Sequence, residues 1–226
     1  MDMPRCRQSN RFKRLIAFLR RCCEPELDRK VSVVTPDSAP SSSLLLIHGA
    51  GSGPWVFDDW LGSFPSVRVA AVDLLEGLDV ASASMSDYAE RVVAAAAALP
   101  EPVVLCGWSM GGLVALQAAA RVRPHSVILI EASPPAEVQR LNREVALVTG
   151  TFDPETAYGR FPKGMPARAE STLARTERRR GISVPELPCP SLVIYGDAFR
   201  DERGTQIARL YGSAERYFPA SNTGTS

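Results

Sequence analysis

A serine with a glycine two places to either side, Gly107-Trp108-Ser109-Met110-Gly111, stands where an apolar run, PVVLC, gives way to a helix-forming run, GLVALQAAA. A serine hydroxyl attacks an acyl carbon only if it is displayed, deprotonated by a neighbouring base, and faced by donors for the oxyanion that forms. The G-x-S-x-G pattern answers the first need. It puts the serine on a strained turn where side chains two residues away on either side would collide, so both positions are glycine. The helix N-terminus beneath the turn also lets the Met110 N–H face a developing oxyanion. A pattern this short arises by chance in about one chain in ten of this length, and the plain alternative is an ordinary glycine-rich strand-to-helix turn. The strand before it and the helix after it are what make it specific.

The elements that would position this serine can be read from hydrophobic periodicity. KVSVVTP reads as a first strand and DSAPSSS as the loop after it. LLLIHGAGSG begins as a strand buried on both faces and breaks into glycines, and VRVAAVDL is a second such run, ending near Asp73. SMSDYAERVVAAAAALP is a helix, with Ser86 the expected N-cap and Pro100 the stop. PVVLCGWS, SVILIEA, SLVIYGD and ERYFP read as strands, while MGGLVALQAAARV and TQIARLYG read as helices. Strands alternating with helices predict an α/β fold, a mostly parallel central sheet with helices on both faces. Residues of about 132–187 break the alternation with a polar, proline-punctuated, mostly helical pattern. This insertion is expected over the C-terminal edge of the sheet, where its RTERRRG run is a solvated helix end or, alternatively, an anion-binding lip.

The composition, 45% apolar and 23% charged over 226 residues, suits one globular domain. Residues 1–30 carry nine Lys/Arg against four Asp/Glu, and the remainder is net acidic, which argues against nucleic acid as a partner. The division expected is a basic extension over 1–30 and a domain over 31–226. Within the extension, RFKRLIAFLRRCC is too short and too charged for a membrane span or a signal sequence. It reads as a basic amphipathic helix, either solvated or touching a membrane surface, with Cys22 and Cys23 as acylation candidates. Five cysteines, Cys6, Cys22, Cys23, Cys106 and Cys189, show no metal-ligand spacing and suit reduced thiols, which points to a cytoplasmic protein without a metal.

HGAGSGPWVFDDW, CGWSMGG and LVIYGD, in that order, resemble the oxyanion loop, nucleophile elbow and acid-bearing strand of the α/β-hydrolase superfamily, a likeness that runs over about residues 44–221. The resemblance implies a cofactor-free hydrolase of small esters, thioesters or amides, with Ser109 as nucleophile. It assigns the second oxyanion N–H to Ala50, beside that of Met110, and a loop-supporting role to His48. Segment 132–187 would be a small helical cap. A rival dinucleotide reading of Gly49-Ala50-Gly51-Ser52-Gly53, with Asp73 as the ribose acid, leaves the serine turn unexplained, and Pro54 follows its last glycine.

The likeness also exposes a gap. The superfamily's histidine comes last in the chain, and the matching position in YFPASNTGTS is Asn222, whose amide is no general base. Of the two histidines, His125 precedes a strand and so belongs to the opposite edge of the sheet, which leaves His48 as the candidate for a relocated base. Asp197, just past LVIY, is the first choice of acid, Asp201 the next and Glu131 a third. The sequence therefore predicts a hydrolase by architecture that is impaired for want of its histidine. A non-catalytic protein binding a small ligand or a partner in the same cleft is the alternative, and a lyase on this fold a third. The absence of the helix that normally follows the last strand predicts an uncovered edge and self-association.

Overall fold

The structure, a computed structural model, describes residues 42–161 and 164–218. The basic extension, the KVSVVTP strand and Asn222 lie outside the described residues, as does the segment after the last strand. Six parallel strands form the central sheet: β1 (Ser43–Ile47), β2 (Arg68–Val72), β3 (Val103–Trp108), β4 (Ser126–Ile130), β7 (Ser191–Gly196) and β8 (Ala214–Phe218), in the order β2-β1-β3-β4-β7-β8. The expected α/β class, with its mostly parallel sheet, is what the chain adopts.

Strand periodicity accounts for both cores. Every residue of β1 is buried, with Leu45 and Ile47 in the larger cluster and Leu44 and Leu46 in the smaller one, as side chains alternating across a sheet must be. The larger cluster is covered by α1 (Met85–Ala97) and α2 (Met110–Val122), whose alanines are strong helix formers and allow close approach to the sheet. On the other face a 3-10 helix, Pro54–Trp60, contributes Val56, Phe57 and Trp60.

Between β4 and β7 runs the insertion, with α3 (Ala136–Gln139), α4 (Pro154–Tyr158) and α5 (Thr172–Arg180). It also holds an antiparallel pair, β5 (Thr151–Phe152) with β6 (Glu170–Ser171), which the sequence did not announce. The chain then passes from β7 through a helical and π-helical turn into α6 (Thr205–Tyr211) and β8. No helix among the described residues is long and apolar enough to cross a membrane.

The start of α1 corrects one expectation: its N-cap is Ser84, not Ser86. Ser84 Oγ accepts from the Asp87 N–H, and the Asp87 carboxylate accepts in return from the Ser84 N–H at 2.8 Å, a reciprocal box that needs an acid three residues on. The Ser84 hydroxyl and N–H hold the Asp87 carboxyl below the usual carboxylate range. Its folded pKa is thus below the unfolded value of about 3.9, so its stabilisation is present above that pH and is lost as the pH falls through the folded value. Ser84→Ala should cost about 1 kcal/mol near pH 7, with the gap in Tm from the unsubstituted protein closing as the pH is lowered below about 4. Thermal melts across pH 2–7 check this, and a gap that stays constant would contradict it.

Candidate active site

Ser109 is the single residue that turns β3 into α2, and its backbone takes φ 54° and ψ −118°. Such a conformation costs a non-glycine residue about 1–3 kcal/mol, so its surroundings must impose it. Three hydrogen bonds do so. The Ser109 N–H donates to Ile130 O at 2.9 Å, and its carbonyl accepts from the N–H groups of Gly112 at 3.1 Å and Ser133 at 2.8 Å. The outcome is a half-buried serine at the C-terminal edge of the sheet, with buried Met110 opening α2 behind it.

The flanking glycines are required by backbone contacts rather than by each other's side chains. A Cβ on Gly107 would stand 2.3 Å from Gly111 O, within the turn, but one on Gly111 would stand 2.2 Å from Ile47 O, at the end of β1. Gly112, outside the five-residue pattern, is as closely packed but against a side chain, since a Cβ there would stand 2.4 Å from Ala132 Cβ. β1 thus ends against the serine turn, and a Cβ on Gly49 would be 3.2 Å from Ser109 Cβ. The loop that leaves β1 runs past the serine and carries half-buried Ala50 one residue further on.

His48 is fully buried at the root of this loop. Its Nδ1 lies 2.9 Å from Gly49 O, and its Nε2 accepts from the Leu74 N–H at 3.1 Å. A backbone amide can only donate, so Nε2 is the acceptor and Nδ1 carries the proton. Both nitrogens are committed to holding the loop against the end of β2, which leaves neither to serve Ser109 as a relocated base. His125 is exposed and immediately precedes β4, at the edge of the sheet away from Ser109.

The carboxylates are better placed. Glu131 follows β4 with φ 46°, donates its N–H to Ile194 O at 2.8 Å, and has an Oε1 3.5 Å from where a Cβ on Gly196 would be. Asp197, exposed and next after Gly196, accepts from the Tyr217 hydroxyl of β8. Since β4 pairs with both β3 and β7, the two acids stand at the same sheet edge as the serine. Asp201 falls in the π-helical turn Arg200–Gly204, and its side chain is outside the described residues.

Two side chains of the insertion enter the site without any signal noticed in the sequence. Arg168 donates from Nε to Ser52 O at 2.9 Å and from Nη1 to Asp73 at 2.9 Å, and its guanidinium lies over the Trp55 ring. Asp73 is therefore paired with Arg168, and Pro54 opens a 3-10 helix after the glycines, so the structure gives the dinucleotide reading no support. Glu170, fully buried, accepts from the Gly51 N–H at 2.9 Å, from the Ser171 N–H at 3.0 Å and from the Tyr88 hydroxyl. Burial and the Glu170 carboxylate push the Tyr88 pKa up, which keeps the phenol a donor. The one cue was an Arg-x-Glu spacing, which in extended chain puts both side chains on one face.

The alpha/beta hydrolase family model matches residues 44–220, and the chain belongs to that family. It is 36% identical over 135 residues to the pimeloyl-[acyl-carrier protein] methyl ester esterase of Neisseria meningitidis serogroup A, covering 59% of this chain and 37% of that protein. The corresponding esterase of Aromatoleum aromaticum is 37% identical over 97 residues, covering 40% and 37% respectively. The match thus spans little more than a third of the length of these curated relatives. In fold, the chain is similar to the RedJ thioesterase from the prodiginine pathway of Streptomyces coelicolor, with a TM-score of 0.55 at 19% identity over 89% of this chain and 91% of that one.

Two outcomes follow from the packing. Gly111→Ala drives a methyl into the immovable Ile47 carbonyl and should cost about 3 kcal/mol or more, a fall in Tm of roughly 6–12 °C at this size. Gly62→Ala, with nothing within 4 Å of its Cβ, should leave the melt unchanged. Cys106, buried in β3, has its thiol pushed up to about 12 by desolvation, so iodoacetamide at pH 8 should leave it unmodified in the folded protein. Rapid alkylation at Cys106, read by peptide mass, would contradict that placement.

Proposed function

We propose that this protein is a serine hydrolase of small acyl substrates, an ester or thioester before an amide, with Ser109 as nucleophile. The observation that carries the reading is the strained Ser109 turn with the Gly49-Ala50 loop running alongside it. Ser109 Oγ forms a bond to the acyl carbon, the carbonyl oxygen takes the charge between the Ala50 and Met110 N–H groups, and the carbon–oxygen or carbon–sulfur bond to the leaving group then breaks. Water clears the acyl-enzyme and restores the hydroxyl. Asp197 is the acid of the proposed arrangement. Support for an ester comes from the curated relatives, whose names describe methyl ester esterases.

Among the described residues neither histidine is placed to take the serine proton. His48 has both nitrogens engaged and His125 lies at the other edge; the oxyanion donors and binding by themselves supply on the order of 10³–10⁴ over water. That same observation favours a second reading, in which the cleft binds an acyl ligand and does not turn it over.

Intact-mass analysis after treatment with a fluorophosphonate tests the choice. The first reading expects slow, stoichiometric addition that is absent in Ser109→Ala and faster in Asn222→His. No addition to either the unsubstituted or the Asn222→His protein would overturn it in favour of binding alone.

A further inference from the structure

We propose that Glu170 is a positioning residue, through which the insertion, rather than the sheet, fixes the oxyanion loop in register with Ser109; its consequence for chemistry rests on the serine hydrolase reading. β1 delivers the loop to the serine, but beyond His48 the loop backbone is held mainly from the insertion. The Gly51 N–H donates to Glu170 at 2.9 Å, Gly51 O accepts from the Arg168 N–H at 3.0 Å, and Ser52 O accepts from Arg168 Nε at 2.9 Å. Ala50, the proposed second donor, is the residue immediately before this grip. Gly51 is also where the insertion presses closest, since a Cβ there would meet Pro154 at 2.3 Å, and its φ of 71° suits glycine.

The buried carboxylate suits this work for a countable reason. Its Oε2 accepts from Gly51 alone, whereas its Oε1 accepts from both Tyr88 and Ser171. All three partners are donors, so a carboxylate satisfies every one of them and an amide cannot. In Glu170→Gln the amide oxygen is drawn to the side with two donors, and the NH₂ is turned against the Gly51 N–H. The near-isosteric change therefore releases the loop while keeping the insertion packed. On the flank, Arg168 binds Ser52 O and Asp73 in a half-exposed setting, where substitution leaves the core intact.

The experiment compares the unsubstituted protein, Glu170→Gln and Arg168→Gln by two readouts. The first is amide hydrogen exchange at Gly51, which is expected to quicken at least tenfold in Glu170→Gln relative to amides of α2. The second is the rate constant for fluorophosphonate addition to Ser109, expected to fall about a hundredfold in Glu170→Gln, the scale of one misplaced oxyanion donor, and about tenfold in Arg168→Gln. Ground-state affinity for a non-reactive methyl ketone should change less than threefold, a separation that loss of fold would not give. Unchanged Gly51 exchange overturns the proposal whatever the addition rate. Quickened exchange with an unchanged addition rate overturns the positioning role. If the unsubstituted protein takes no label, the hydrolase reading fails, and the exchange result alone decides whether Glu170 holds the loop. If Glu170→Gln does not fold, Arg168→Gln decides by the same two readouts.

Discussion

The Gly111 backbone lies against the carbonyl oxygens of Ile47 and His48, and the arrangement of the site depends on that contact. With no side chain at Gly111, α2 can start directly behind the end of β1, which brings the serine turn and the glycine loop together. The same closeness forces the chain to reverse within one residue, Ser109, in a backbone conformation costing about 1–3 kcal/mol. Hydrogen bonds to Ile130, Gly112 and Ser133 and the largely buried strands around them offset that cost. A single buried leucine such as Leu46 contributes about 1.5–3 kcal/mol, so a few core residues outweigh the strain.

The loop itself needs a second support, because a glycine-rich segment leaving a strand has much conformational freedom to lose. His48 supplies one anchor, bridging Gly49 and Leu74. The insertion supplies the other, through Arg168 and Glu170 on one face of an extended stretch. A buried carboxylate is costly unless its acceptors are filled, and here three donors fill them. The insertion therefore holds the loop by hydrogen bonds to Gly51 and Ser52.

Much of this could be read from the sequence. Apolar runs such as SLLLI and VVLCGW, short and bounded by turn residues, suit central strands buried on both faces, and the flanking pattern of Ser109 marks its turn. The sheet, its parallel character and the start of α2 were legible for that reason. What escaped was one local cap, passed over, and one contact far apart in sequence. Ser84 rather than Ser86 caps α1 because Asp87 returns the bond, and the grip of Glu170 on Gly51 joins residues 119 positions apart. No local pattern encodes such a pair. Glu170 in an otherwise polar insertion looks like any solvated acid until the fold buries it.

The proposed hydrolysis depends on Ser109 and the two N–H groups of Ala50 and Met110 acting on one point in space. The most direct measurement is a crystal structure of the phosphonylated protein. The expected result is phosphorus on Ser109 Oγ, with its free oxygen about 2.7–3.1 Å from both amide nitrogens. An oxygen turned to solvent, or more than about 4 Å from either nitrogen, would contradict it.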